Sequence, residues 1–193
     1  MSRTIRVLLA LVLLASFASP ASASLIQYIA NMDGPSESPP VASPGKGFGT
    51  VDYDDVAHTL AVHVVFSGLV GNTTNSHIHA PTLVAFQGTA GVATTTPTFA
   101  GFPSGVTSGE YINTLDLTLA SSYNPAFVTA NGGSIAASEL ALTNAMAAGK
   151  AYWNIHSTFA SGGEIRGFLV PAPEPATLSL LALGSLALIR RRR

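Results

Sequence analysis

The sequence predicts a mostly antiparallel β-sandwich or barrel that contains one short helix. Three observations lead to this fold class: apolar and polar residues alternate over short segments, the segments recur about every ten residues, and glycine-rich turns separate them. The 193-residue chain has no cysteine, so packing alone must hold the domain together. The lack of cysteine also excludes zinc-finger, iron–sulfur and thiol-nucleophile sites.

Three strands are expected in the first half of the body. Residues 25–30 alternate well enough for a strand, and a loop rich in proline, serine and glycine at 31–46 separates them from a second strand at 47–53. After a turn at 54–58, the third strand at 59–67 has the clearest pattern. Its apolar face consists of Leu60, Val62, Val64 and Phe66.

The second half of the body is less regular. Short apolar runs at 83–86 and 111–119 are expected to be strands among glycine, threonine and proline. One helix is expected at 139–148, where Ser138 caps its start and Gly149 ends it in the left-handed conformation. The final elements form a β-hairpin, with strands at 151–157 and 164–170 and a turn at 160–163.

The N-terminal segment has the parts of a secretory signal peptide. Two early arginines form a positively charged region, and residues 7–17 form an apolar run that is short for a membrane-spanning helix. Ala21 and Ala23 then form a cleavage site of small residues. We therefore expect export, with residues 1–23 removed as an N-terminal signal helix.

The C-terminal segment, 171–193, combines a Pro-Glu-Pro element, an apolar stretch at 176–189 and an arginine cluster. This order resembles the PEP-CTERM sorting signal of Gram-negative bacteria, which implies processing by an exosortase-type enzyme. As a helix, the 14 apolar residues would span about 21 Å, short of a hydrocarbon core of about 30 Å. Either the hydrophobic helix crosses the inner membrane transiently, or it stays as an uncleaved anchor. The signal residues are Pro173, Glu174, Pro175, Arg190, Arg191, Arg192 and Arg193.

Between these ends the chain is acidic. Residues 24–175 contain three basic and ten acidic side chains, a formal charge of −7, although the whole chain carries −1. An exported acidic domain is a poor candidate for binding nucleic acid.

Five short motifs of the body resemble those of CHRD domains and occur in the same order. The resemblance covers most of residues 27–169 and is weaker over 82–122. It implies one extracellular immunoglobulin-like or related Greek-key β-domain, at residues 24–170, without an established catalytic activity. Residues 60–79 also resemble the copper-binding strand of copper/zinc superoxide dismutases, but that family's other ligands and its disulfide have no match. The five motifs are ESPPV (37–41), SGL (67–69), SHIH (76–79), GKAYWNIHS (149–157) and GGEIRGFL (162–169).

The histidines of two of these motifs form the main candidate site. His77 and His79 are two residues apart, so on a strand both side chains face the same way. Asn154 and His156 have the same spacing, and pairing of the two strands would bring all four together. Glu164 and Arg166, two apart on the next strand, could complete the cluster.

Two interpretations of this cluster are open. In the first, the imidazoles bond to backbone carbonyls, to Asn154 and to the carboxylate of Glu164, which also pairs with Arg166, and the network fixes the packing. In the second, His77, His79 and His156 bind zinc or copper. The sequence favours the structural network and predicts no cofactor, because a histidine pair without further support is usually not a ligand set.

Other polar groups give weaker signals. His58 lies in a turn and His63 on the mixed face of its strand, and neither has a partner at ligand spacing. Asp52, Asp54 and Asp55 could bind calcium, but they lack the glycine and distal glutamate of an EF-hand loop, so a solvated turn is expected instead.

These features predict an exported protein of the cell envelope or matrix with a non-catalytic binding or structural role. No nucleophile elbow, Walker A or Rossmann glycine pattern occurs, so we expect no enzyme activity. The expected partners are an exosortase-type enzyme, the inner membrane, and an extracellular polysaccharide or matrix protein.

Overall fold

The computed structural model describes residues 25–173. Two predictions therefore lie outside the described residues: the signal peptide with Ala21 and Ala23, and the sorting tail beyond Pro173. Within residues 25–173, none of the helices combines the length and the hydropathy that a membrane crossing requires. The tail residues concerned are Glu174, Pro175, Arg190, Arg191, Arg192 and Arg193.

The described part of the chain contains eight strands and three helices. The helices are a single 3-10 turn, Ala120–Ser122, followed by α1 (Pro125–Ala130) and α2 (Ile135–Ala147). The strands are β1 (Leu25–Asp33), β2 (Lys46–Asp54), β3 (Thr59–Ser67), β4 (Thr73–His79), β5 (Gly109–Asp116), β6 (Tyr152–Ser157), β7 (Ile165–Phe168) and β8 (Val170–Pro171).

All eight strands belong to one antiparallel sheet, in the order β4-β6-β7-β1-β2-β3-β5, with β8 paired to β1. This confirms the predicted mostly antiparallel β class. β4 follows β3 in the chain but joins the opposite edge of the sheet, next to β6. That crossover, rather than a local hairpin, brings the SHIH and WNIH segments together.

The sheet curls so that strands far apart in its order share one core. Trp153 of β6 is fully buried and touches Gly49 of β2, two strands beyond its neighbour β7. A Cβ atom on Gly49 would lie 2.9 Å from Cε3 of Trp153, so only glycine fits this contact. Phe99 packs edge-on against the indole at 5.7 Å, and the indole N–H donates to Ser76 Oγ over 2.8 Å. The core therefore closes behind the strands that carry the histidines.

The apolar face predicted for the third strand is confirmed. Leu60, Val62, Val64 and Phe66 of β3 are all at most 2% exposed. Alternation identified this strand because one of its faces is buried and the other is not.

The strand predicted at 83–86 is wrong. The segment makes only an isolated bridge between Val84 and Gln87, and the side chain of Leu83 is 95% exposed. Its backbone bonds to the segment after α2 instead, where Phe86 N donates to Gly149 O over 2.7 Å. With no partner strand, this apolar run forms a surface loop.

The helix is longer than predicted and begins four residues earlier, at Ile135. Ser134, not Ser138, is its N-cap and accepts from Ala137 N. Ser138 lies buried inside the helix and donates to Ser134 O over 2.8 Å. Gly149 has a φ of +65°, which confirms the predicted left-handed end. A second helix, α1, was not predicted; Asn124 caps it and a proline opens it.

Candidate functional site

The candidate site lies where β4 and β6 pair. In the antiparallel register, His77 is opposite Asn154, and Asn75 is opposite His156. Because side chains alternate along a strand, His77, His79 and His156 project from the same face of the sheet. We call these three residues the histidine cluster. His77 and His79 are buried, and His156 is half-buried.

The three imidazoles are in direct contact. The Nε2 atoms of His77 and His156 are 2.9 Å apart. The ring of His77 lies 4.7 Å, centre to centre, from each of the other two rings. Each residue offers one ring nitrogen, and these three nitrogens all lie within 4.8 Å of one another. The prediction that the two strands bring these histidines together is thus what the structure shows.

A hydrogen bond from Nδ1 to a backbone carbonyl fixes the orientation of each of the three rings. His77 Nδ1 lies 3.1 Å from Pro97 O, His79 Nδ1 lies 2.8 Å from Ala90 O, and His156 Nδ1 lies 2.8 Å from Ser161 O. A carbonyl oxygen can only accept, so each Nδ1 must carry the hydrogen. In a neutral imidazole the remaining nitrogen, Nε2, is then an unprotonated acceptor.

Burial keeps the cluster neutral. It lowers the pKa of His77 to about 3, together with repulsion from the positive charges that His79 and His156 would carry if protonated. It lowers the pKa of His79 to about 4, although the bond to Ala90 acts in the opposite direction. The pKa of His156 is lowered by burial as well. At neutral pH the three rings therefore present three Nε2 lone pairs to a shared space.

An aromatic ring and a guanidinium lie next to the cluster. Tyr152 stacks on His79 with ring centres 4.7 Å apart and planes 4° from parallel. The guanidinium of Arg166 lies 4.8 Å from the centre of the Tyr152 ring. Its Nη1 donates to Gly88 O over 2.9 Å, and its Nε donates to Ser36 O. These contacts fix Tyr152 against the imidazole that it supports.

The guanidinium of Arg166 forms a buried ion pair with Glu37. Arg166 Nε is 3.8 Å from Glu37 Oε2, and both side chains are about 5% exposed. Burial raises the pKa of Glu37 to about 7, against the opposing effect of Arg166. Asn154 Nδ2 makes a long contact of 3.5 Å to the same carboxylate. The only signal for Glu37 was its place in the ESPPV motif.

Glu164 does not join the cluster, and the predicted contacts of its carboxylate with the imidazoles and Arg166 are wrong. Its carboxylate accepts from the hydroxyls of Ser43 and Ser157 and from the backbone N–H groups of Val70 and Gly71. The strand β7 begins only at Ile165. Glu164 therefore lies in the bend before it, where the two-residue alternation that put it beside Arg166 does not apply.

Glu164 is nevertheless a completely buried carboxylate that remains charged. Burial by itself would raise its pKa, but the hydrogen bonds from two serines and two backbone amides lower the pKa below the ordinary value. It ties together the loops that follow β1 and β3 and the β6–β7 turn. Its role in the structure is to hold these loops, away from the histidine cluster.

The side chains of the weaker candidates have hydrogen-bond partners within the domain. His58 Nδ1 lies 2.8 Å from the carboxylate of Glu139, and His63 Nε2 lies 2.8 Å from that of Glu110. Asp54 accepts from two backbone amides of its own turn, and Asp52 accepts from Gln27 over 2.8 Å. These contacts close a turn and link neighbouring elements.

Comparison with known protein families identifies two parts of the chain. The model of the CHRD domain matches residues 28–169, and the model of the PEP-CTERM protein-sorting motif matches residues 171–193. No curated protein and no solved structure matches the chain.

Proposed function

The chain belongs to the CHRD domain family, and we propose that this domain acts as a non-catalytic structural or binding module at the cell envelope. Its PEP-CTERM motif marks it as an exported, envelope-directed protein that an exosortase-type system sorts.

This role is supported by the observation that Glu164 and Arg166, two buried charged residues, are bonded to other groups of the protein. Glu164 is bonded by four donors of the protein itself, and Arg166 is bonded by two backbone carbonyls and paired with Glu37. Groups that are consumed by internal bonds are not available to a substrate, but they hold loops to the sheet and specify one packing. Bonds of this kind support a structural role for the domain.

The charge of the exterior narrows the class of partner. Among residues 25–173 there are three basic side chains, and one of them, Arg166, is buried. The surface is therefore acidic, which disfavours an anionic polymer and favours a neutral extracellular polysaccharide or a matrix protein. Adhesion or retention of matrix material is the role that this surface fits best.

The proposal is tested in the native host. A strain without the protein should retain less extracellular polysaccharide, and the full chain should restore the wild-type amount. As a matched control, a chain with Pro173, Glu174 and Pro175 replaced by alanine should be exported but should not restore it. An unchanged amount of retained polysaccharide, with the protein located in the envelope fraction, would contradict the role without affecting the sorting assignment.

The alternative role is the binding of copper or zinc by His77, His79 and His156. Metal binding is compatible with a structural role, because the bonds to backbone carbonyls use the Nδ1 atoms and leave the Nε2 atoms available.

A further inference from the structure

We infer that His77, His79 and His156 form a binding site for one zinc or copper ion. The inference goes beyond the proposed envelope role and does not depend on which partner the domain binds. It stands on three independent features of the histidine cluster: the convergence of its ring nitrogens, the orientation of its rings, and the unpaired buried atom that it contains.

The ring nitrogens have the spacing of a metal site. Three atoms that are at most 4.8 Å from one another all lie within about 2.8 Å of a common point. Zinc–imidazole bonds are about 2.0–2.1 Å long, which places neighbouring nitrogens of a tetrahedral site about 3.3 Å apart. The separation of 2.9 Å between His77 Nε2 and His156 Nε2 is already near this value. An ion at that point would require the ring nitrogens to move inward by at most about 0.8 Å.

The rings have the orientation that metal-binding histidines need. Each Nδ1–H donates to a backbone carbonyl, of Pro97, Ala90 and Ser161 in turn. Such a bond fixes the tautomer and aims the Nε2 lone pair at the ion. Backbone acceptors from three separate segments make all three rings the same tautomer, whereas a purely structural network would need some rings to donate and others to accept.

One nitrogen of the cluster is buried without a partner. Within residues 25–173, the buried side-chain atoms that lack a hydrogen bond are Glu37 Oε1, Asn154 Oδ1 and His79 Nε2. A buried acceptor that has no hydrogen bond destabilises the folded state. The short contact between His77 Nε2 and His156 Nε2 places two further lone pairs against each other, unless one ring takes a second proton and a buried charge. One cation satisfies all three nitrogens.

The ligand types indicate the class of ion. Imidazole nitrogen suits zinc and copper, and the chain has no thiolate to offer. Among the described residues, the side chains close enough to share an ion at this place are those of His77, His79 and His156. Three protein ligands leave a fourth coordination position for water or another small molecule.

The test is metal titration of the full chain, expressed without a histidine tag and stripped with a chelator. Zinc sulfate and copper chloride are titrated separately, and bound metal is counted after gel filtration. We expect about one equivalent of each metal. In His79→Gln and His156→Gln variants we expect the Kd to rise at least about 100-fold, because each removes one of three ligands.

A matched control separates this site from metal binding elsewhere. His63→Gln removes an exposed histidine of β3 and should leave the Kd unchanged. Near-ultraviolet circular dichroism of the single, buried Trp153 shows whether each variant is folded. Less than about a tenth of an equivalent in the folded wild-type protein, or equal affinity in the wild type and both site variants, would overturn the inference.

Discussion

Replacing Glu164 by glutamine tests the interpretation that this carboxylate holds the loops of the domain. Oε1 accepts from Ser43 Oγ and Val70 N, each over 2.6 Å, while Oε2 accepts from Gly71 N over 3.1 Å and from Ser157 Oγ. In glutamine one of these oxygens becomes an NH2 group, which can only donate. Whichever way the amide is placed, one backbone N–H then faces another donor.

The expected cost follows from the number and kind of bonds lost. A serine hydroxyl can rotate and accept from the new amide, but a backbone N–H cannot, so one charge-assisted hydrogen bond is lost and one buried donor is left unpaired. Hydrogen bonds to charged groups contribute about 1.5–3 kcal/mol, and an unpaired buried donor costs about 1–3 kcal/mol. Because these two contributions overlap, we expect the free energy of unfolding to fall by about 2–4 kcal/mol. That is a large fraction of the roughly 5–15 kcal/mol of a typical domain.

The assay is equilibrium unfolding in urea, followed by the fluorescence of Trp153, which is the single tryptophan of the chain and is fully buried. Glu110→Gln is the matched control, since its side chain is 58% exposed and pairs with His63, whose side chain is 43% exposed. The control should change the free energy of unfolding by less than about 0.5 kcal/mol. An equally small change for Glu164→Gln would refute the reasoning.

Three further substitutions, one of them with a matched control, test other parts of the structure. Gly49→Ala places a Cβ atom 2.9 Å from Trp153 and should lower the free energy of unfolding in urea by about 1–3 kcal/mol, whereas Gly162→Ala, with no atom within 4 Å, should change it by less than about 0.5 kcal/mol. Ser134→Ala removes the N-cap of α2 and should cost about 1 kcal/mol in the same assay. The pKa of Glu37 is raised to about 7 in the folded protein. At a pH above the ordinary pKa of glutamate, the folded state therefore binds a proton at Glu37 more readily than the unfolded state does. The stability that this proton contributes is lost as the pH rises from the ordinary value of 4.5 through about 7, and Glu37→Gln should flatten the decline in unfolding free energy measured between about pH 4.5 and 8.

Much of the fold could be predicted because its strands are half-buried. Alternation marks β3 since only one of its faces meets the core. The same two-residue period predicts that His77 and His79 share a face of one strand and that Asn154 and His156 share a face of another, and the pairing of β4 with β6 brings these faces together. Where a segment has no partner strand, as at 83–86, its apolar residues carry no such information.

The remaining features depend on contacts that are distant in the sequence. The acceptors that orient the histidine cluster are backbone carbonyls in loops, and a carbonyl leaves no mark on residue type. Glu164 was misplaced because the strand begins one residue later than alternation suggested. Ser138 was predicted as the helix cap because serine is a common cap residue, but the backbone geometry puts the cap four residues earlier, at Ser134.

The most direct test of the account is X-ray absorption spectroscopy on the zinc- or copper-loaded protein, which reports the atoms bound to the ion itself. The account predicts imidazole scattering from three nitrogen ligands at about 2.0–2.1 Å, with one ring lost in His156→Gln. A first shell made of oxygen atoms, or one that is unchanged in that variant, would contradict the assignment of the site to His77, His79 and His156.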